Sequence, residues 1–347
     1  MEFTTGGRLE VAITAADVGK RVSVRSLTGA AAGAGKFTDT VGMLTSWDSG
    51  VLCIERRTGE AVRIVESTLV AGKVVPPAPA RRRGPSASWQ ELDRIAARGW
   101  PPVESERLGE WELRWAGGFT RRANSVLPLG DPGLPLDDAL ERVTEWYAQR
   151  NLPAYMQVST GAKGSQEQLA AELEARGWTL EVTALIRVAA LAPIADPEVP
   201  DPRRTLPGAA SPVALSRTID DAWLARYQRS AEPAPEVRDV LGGGPSVWFA
   251  TVPGTEAGEP PAAIGRCVVD GRWAGFMAIE VDPALRRQGL ASAVMTALAR
   301  KALDEGASAA YLQVETDNEG AGALYDGMGF SAHHAYHHFR APEDGTR

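Results

Sequence analysis

Arg286-Arg287-Gln288-Gly289-Leu290-Ala291 places two guanidinium groups, one glycine and the start of an apolar helical pattern in six consecutive positions. That combination suits an anion. Backbone N–H groups at a helix start have no partner inside the helix, so they can hold a phosphate. Gly289 lets the backbone approach closely, and Arg286 and Arg287 add positive charge. A second cluster comprises all four histidines, His333, His334, His337 and His338, within six residues. On a strand, His334 and His338 share one face and His333 and His337 the other. No cysteine or closely spaced carboxylate completes a metal set, so the segment reads as a last strand with a solvated edge.

The elements that must position the basic loop are legible around it. Trp273 to Val281 is an extended apolar run closed by Asp282-Pro283. Val294, Met295, Leu298, Ala302 and Leu303 recur at helical spacing, and Gly306 is a stop for that helix. Ala310 to Val314 reads as a buried strand, and after Asp317-Asn318 a small-residue helix runs from Gly320 to Met328. Upstream, Pro212 to Ser216 reads as a first strand and Asp221 to Arg229 as a first helix. Ser246 to Val252 and Ala262 to Val269 read as strands, with Asp270-Gly271 a hairpin turn.

This order resembles the GNAT superfamily of acyl-CoA-dependent N-acyltransferases, over roughly Pro212 to Arg340. The resemblance rests on Val281-Asp282-Pro283, on Arg286-x-x-Gly289-x-Ala291, on Asn318, and on Leu324-Tyr325-x-x-x-Gly329-Phe330. It implies an α/β (α+β) fold with a mixed central sheet flanked by helices. It also implies a V-shaped slot between two diverging parallel strands, here Trp273 to Val281 and Ala310 to Val314. Acetyl-CoA, or another acyl-CoA, would serve as co-substrate, with pantetheine beside Ile279, Glu280 and Val281. Its pyrophosphate would lie on the loop of Arg286, Arg287, Gln288, Gly289, Leu290, Ala291 and Ser292. Tyr325 would be the general acid for the departing thiolate, and on the residues alone it also reads as a core tyrosine. Asn318 would contact the cofactor, cap the following helix, or do both. Glu280 and Glu315 near the strand ends are candidate bases and equally solvated carboxylates. Strand alternation turns Glu280 away from the facing of Ile279 and Val281. Trp223 and Tyr227 lie on the helix that borders the acceptor in this family, and both also read as core.

The chain has 347 residues, enough for two or three domains, with 44% hydrophobic and 23% charged residues and a net charge of −7. That charge gives no support to nucleic-acid or anionic-membrane partners. Cys53 and Cys267 lie far apart, which argues against a disulfide framework or a cysteine zinc site. No segment reaches the length of a membrane span and no signal-peptide pattern opens the chain, so the expected location is cytoplasmic.

Residues 1–75 have short strand-like runs, Arg21 to Arg25, Val41 to Leu44, Val51 to Ile54 and Val62 to Val65, punctuated by Gly, Asp and Ser. They resemble an SH3-like β-barrel. Residues 76–88, rich in proline and including Arg81 to Arg83, read as a linker.

Residues 89–195 carry a hidden echo of residues 208–347. Ala154-Tyr155-Met156-Gln157-Val158-Ser159-Thr160 parallels Ala310-Tyr311-Leu312-Gln313-Val314-Glu315-Thr316. A helical pattern, Asp137 to Gln149, precedes the first copy, and Gln166 to Arg176 with Gly177-Trp178 follows it. This is the pattern of a duplicated unit. The first copy has Ala162 for Asn318 and Leu173 for Tyr325, and Gly130-Asp131-Pro132-Gly133-Leu134-Pro135 for the anion loop. Prolines donate no N–H and Asp131 repels phosphate, so the first copy reads as degenerate. The reading is an N-acetyltransferase acting on a small-molecule or protein amine. The rival is an acyl-CoA-binding sensor or scaffold whose SH3-like module recruits a partner.

Overall fold

A strand that is apolar on both faces must lie inside a sheet covered on both sides. Ala263–Asp270 and the first part of Trp273–Val281 are buried in this way in the computed structural model of the chain. The structure describes residues 11–28, 36–56, 60–75, 85–196, 213–227, 234–254, 256 and 258–343. The chain divides into two compact units, Met1–Arg83 and Gly84–Arg347.

In the first unit, β1 (Arg21–Thr28), β2 (Lys36–Asp48), β3 (Val51–Glu55), β4 (Ala61–Val65) and β5 (Leu69–Val74) form an antiparallel sheet in the order β4-β3-β2-β1-β5. Val22, Val24, Leu44, Leu52, Ile54 and Ile64 alternate along their strands and meet Ile13 in one small core. The closed barrel expected from the sequence is not formed. β4 and β5 are the two edges, joined by the helical turn Glu66–Thr68, and no ladder links them. Register shifts at Arg25/Ser26 and Leu44/Ser46 bend β1 and β2, but side-chain packing rather than hydrogen bonding closes the core. The expected linker lies outside the described residues as far as residue 84.

The second unit begins with α1 (Trp89–Gly99), β6 (Glu104–Leu108), β7 (Trp111–Trp115), α2 (Leu136–Ala148), β8 (Tyr155–Thr160), α3 (Glu167–Ala175), β9 (Thr179–Ala190) and the short α4 (Ala192–Ala195). It continues with β10 (Ala214–Ser216), α5 (Asp221–Arg226), α6 (Pro235–Gly242), β11 (Val247–Val252), β12 (Ala263–Asp270) and β13 (Trp273–Val281). α7 (Leu290–Asp304), β14 (Ala309–Glu315), α8 (Glu319–Gly327) and β15 (Ser331–Arg340) follow. Pro212 and Gln228-Arg229, expected in the first strand and helix, lie outside the described residues. No described helix is long and apolar enough to cross a membrane.

Eight strands form one mixed sheet in the order β10-β11-β12-β13-β14-β9-β15-β8. Single bridges extend it: Val126 pairs in parallel with Met156 of β8, and Leu127 pairs antiparallel with Glu112 of β7. At the centre, β9 and β15 lie side by side, antiparallel, and each pairs outward with a strand from the other half of the sequence. The order is therefore similar from either end. A β13–β14 parallel pair on one side answers a Val126–β8 parallel pair on the other.

Alternation divides the side chains between two faces. Ile264, Val268, Trp273 and Tyr311 pack with α1, α5 and α6. Ala263, Cys267, Phe276 and Leu312 pack with α7 and α4, and Tyr325 and Phe330 border that core. Gly265 sets the approach of α7, since a Cβ there would lie 2.4 Å from Val294 Cγ1. α2 and α3 cover Met156, Val158 and Phe339 near the other end of the sheet.

The histidine strand departs from expectation. β15 is interior, with β9 on one side and β8 on the other, so it has no solvated edge. His334 and His338 are buried, and a register shift at Ala332/His334 sets His333 beside His334. His334 Nε2 lies 3.1 Å from Asp93 of α1, and Ser159 Oγ donates to the same carboxylate at 2.6 Å. Burial, reinforced by the neighbouring Arg122, pushes the pKa of His338 well below the ordinary histidine value.

Candidate functional site

β13 and β14 pair in parallel only from Trp273↔Ala309 to Phe276↔Leu312. Beyond that point β13 stays on β12, and Gln313, Val314 and Glu315 of β14 stay on β9. The strands therefore part and leave a slot. Its cause is a bulge: Ile264 pairs with Glu280 and Arg266 with Met277, so Gly265 faces both Ala278 and Ile279. Ala278 has φ +49°, a left-handed conformation that costs a non-glycine residue about 1–2 kcal/mol. A bulge bends its strand and changes which face the following side chains take. Met277 and Ala278 both face the α1/α5 core, after which Ile279 and Val281 turn to the α7 face. Glu280, between them, faces the α1/α5 side, as do Gln313 and Glu315 by alternation with Tyr311.

At the open end of β13 the chain turns sharply. Asp282 accepts from Ala284 N at 2.8 Å and from Arg226 Nη2 at 2.5 Å, and Arg226 Nε also holds Pro261 O at 2.6 Å. The Ala284 amide and then the Arg226 guanidinium hold the Asp282 carboxyl below its ordinary pKa. Arg286 and Arg287 are exposed, and Arg287 and Gly289 both have left-handed backbones, φ +65° and +82°. Gly289 is the N-cap of α7 and no side chain caps that helix. Among the described residues, the N–H groups of Arg287, Gln288, Gly289, Leu290, Ala291 and Ser292 have no protein acceptor. Left-handed residues next to a helix start turn consecutive N–H groups toward one point, the geometry of an anion nest.

Tyr325 and Asn318 lie on α8. Asn318 is its N-cap and accepts from Ala321 N at 3.1 Å. Tyr325 is half-buried at the edge of the α7-face core, edge-on to Phe330 with ring centroids 5.9 Å apart. The slot thus has Ile279, Val281, the loop and Tyr325 toward the α7 side.

On the α1/α5 side, Trp223 and Tyr227 of the expected helix are joined by residues from the first half of the unit. Trp100 Nε1 donates to Gln313 Oε1 at 3.0 Å. Phe119 meets Tyr227 edge-on at 6.1 Å, and Tyr227 stacks on Trp223 at 5.5 Å. Arg122 donates to Tyr336 OH at 2.8 Å and lies over the Trp100 ring. Burial first, with Glu315 among the further causes, raises the Tyr336 pKa and keeps the phenol protonated. Trp100, Phe119 and Arg122 come from the first half of the unit. The one available signal was Gln313, which falls in the repeated strand.

In the first half, the loop before α2 engages two of its amides internally, while α2 itself has no side-chain cap. Asp131 N donates to Glu110 Oε2 and Gly133 N to Asp131 Oδ1, both at 2.7 Å. Gln166 Nε2 reaches Pro128 O at 2.5 Å, while Gln166 Oε1 accepts from Ser159 N at 3.0 Å. Trp89, Leu127 and Leu129 pack together beside them. Leu173 is buried in the α2/α3 core.

A mixed sheet parted by a bulge, with an uncapped basic loop leading into α7, defines an N-acetyltransferase of the GNAT type. Residues 86–339 match the family model described as "Probable histone acetyltransferase Rv0428c C-terminal", and the chain belongs to that family. It is 26% identical over 299 residues to the probable histone acetyltransferase Rv0428c of Mycobacterium tuberculosis, covering 86% of this chain and 87% of that protein. It is 27% identical over 259 residues to the uncharacterized N-acetyltransferase YobR of Bacillus subtilis, covering 72% of this chain and 97% of that one. Among solved structures, a GCN5-related N-acetyltransferase from Kribbella flavida shares the fold, with a TM-score of 0.52 at 15% identity. That match covers 73% of this chain and 95% of the other.

Proposed function

We propose that this enzyme transfers acetyl from acetyl-CoA to a primary amine by direct attack in the slot between β13 and β14. The observation that carries the reading is the row of unpartnered N–H groups from Arg287 to Ser292 at the mouth of that slot. In this reading they hold the pyrophosphate, with Arg286 supplying charge, and pantetheine runs along Ile279, Glu280 and Val281. Asn318 borders the cofactor while capping α8. The amine enters from the α1/α5 side, among Phe119, Tyr227, Glu280 and Glu315. Rate comes largely from orienting two bound reactants, with slot backbone N–H groups receiving the developing oxyanion. Tyr325 protonates the leaving thiolate.

We infer further that the second unit is a tandem in which residues 208–347 carry the cofactor and residues 89–195 are the degenerate copy. The near-symmetric strand order and the exchange of β9 and β15 support duplication. The carboxylates on the Asp131 and Gly133 amides, and the Gln166 bridge to Pro128, support loss of the first site. Calorimetric titration with CoA should give one site per chain; two sites would refute the degenerate copy. The first copy then serves as a wall. Phe119→Ala should raise the KM of the acceptor by about tenfold, the size of one aromatic contact, with the KM for acetyl-CoA unchanged.

The test of the activity is thiol release from acetyl-CoA against a panel of small amines and lysine-containing peptides, with products identified by mass spectrometry. Peptides belong in the panel because the Mycobacterium tuberculosis relative is named a probable histone acetyltransferase. CoA binding without turnover on any amine would turn the reading to an acyl-CoA-binding protein.

A further inference from the structure

Two arginines, Arg266 and Arg114, occupy corresponding places in the two halves. Arg266 is on β12, beside β13, and Arg114 is on β7, beside Val126-Leu127. Both are buried, at 0% and 1% exposure. Their surroundings differ. Arg266 is saturated by carbonyls at two helix ends: Leu241, Val240 and Gly243 at the end of α6, and Gly99 at the end of α1. By chain order α1 precedes β6 as α6 precedes β11, so α1 is the helix whose end would serve Arg114. That end has gone to Arg266 instead. Arg114 is left with Ser125 O and Oγ at 2.9 Å and Gln157 Oε1 at 3.0 Å, all neutral acceptors. Its buried Nη1 has no partner among the described residues.

Arg114 lines a cavity of about 670 Å³ between α1 and β7. Arg94, Arg98 and Arg107 also line it, as do Glu110 and Glu112. Arg98 is paired with Asp270 at 2.6 Å, and Arg107 with Glu112 at 3.7 Å. Glu110 is engaged by the Asp131 amide. Glu110 keeps its charge there, so two guanidiniums without a carboxylate partner among the described residues, Arg94 and Arg114, face one carboxylate and the lining is cationic on balance. Leu127 and Leu129 supply an apolar wall. A buried guanidinium with an open donor is satisfied by an acceptor oxygen, and the charge-assisted case is the stronger one.

We propose that this cavity is a second ligand site, separate from the β13–β14 slot, and that it takes a small organic carboxylate. The carboxylate occupies the place that a helix end occupies at Arg266, and its apolar body rests on Leu127 and Leu129. The proposal stands apart from acetyl transfer and does not depend on it.

The experiment is calorimetric titration of the full chain with sodium hexanoate, neutral hexanamide and sodium phosphate at constant ionic strength. Hexanoate should bind at one saturable site per chain, and hexanamide at least about tenfold more weakly, since it lacks the charge. Arg114→Gln and Arg94→Gln should each weaken hexanoate about fivefold or more, whereas Arg286→Ala leaves it unchanged. If Arg114→Gln does not fold, the exposed Arg94 decides the matter. Equal binding of hexanoate and hexanamide would overturn the proposal, as would no saturable binding, or phosphate binding without hexanoate. So would loss of binding in Arg286→Ala, which would place the anion on the α7 loop.

Discussion

Replacing Tyr325 by phenylalanine should lower kcat for acetyl transfer by about a hundredfold or more, within the range typical of a positioned general acid. The substitution removes one oxygen and keeps the ring. The edge-on contact with Phe330 survives, as does packing against the α7-face core, so any change in melting temperature comes from the hydroxyl alone. An interaction made only as the thiolate departs lowers kcat and kcat/KM together and leaves binding alone. The KM for acetyl-CoA should therefore stay within about twofold. Steady-state thiol release and a thermal melt on the same preparation check both halves of the expectation. If Tyr325→Phe loses stability and keeps its kcat, the hydroxyl is a packing group and the acid lies elsewhere. The companion substitution Asn318→Ala separates the two meanings of that residue. Loss of its bond to Ala321 N costs α8 about 1 kcal/mol, and a change in the KM for acetyl-CoA beyond that indicates direct contact.

What could be read from the sequence was local. Gly289 and the arginines before it announce the start of α7, because the signal and the structure occupy the same few residues. β13, β14 and α7 announce themselves through uninterrupted apolar runs or helical spacing. The bulge that opens the slot has no such mark. Ala278 takes a left-handed backbone without the glycine or asparagine that would advertise it, because the bulge against β12 sets it there. β6 carries Glu-Ser-Glu-Arg-Leu and is almost wholly exposed, so it lacks the alternation that identifies a strand. β15 reads as an edge from its four histidines. It lies inside the sheet because β8, some 170 residues earlier in the chain, covers its other side. The contacts of Trp100 with Gln313 and of Arg122 with Tyr336 are likewise products of long-range packing.

For the tandem proposed above, that pairing supplies a physical route by which one half would lose its site and keep its fold. β9 and β15 each complete the other half's sheet, so neither half can unfold without exposing the other's apolar strands. Under that proposal, selection on the first half acts on its packing, and its loop can acquire carboxylates and prolines without loss of the sheet. The loop before α2 does carry such groups, with Glu110 and Asp131 oxygens on the Asp131 and Gly133 amides.

Gly289→Val is the substitution that should most damage cofactor binding, weakening CoA by about a hundredfold or more. The space around Gly289 is open, and a Cβ there would meet no heavy atom within 4 Å. The effect therefore comes from the backbone. At φ +82° a β-branched residue is a strong outlier, and the chain relieves the conflict by rotating out of the left-handed region. α7 itself should persist, because Leu290, Val294, Met295, Leu298, Ala299 and Ala302 bury its inner face. The damage falls on the N–H groups just before and within its first turn, which no longer converge. Losing two hydrogen bonds to a charged phosphate costs about 3 kcal/mol, or about two powers of ten in affinity. Calorimetry with CoA measures the loss, and far-ultraviolet circular dichroism checks that the helix remains. The control is Gly133→Val, which breaks a left-handed position in the loop before α2, φ +75°. It should leave CoA affinity unchanged and lower only stability. Equal loss of CoA binding in the two variants would mean that both loops hold cofactor. No loss in Gly289→Val would mean that the pyrophosphate lies away from the start of α7.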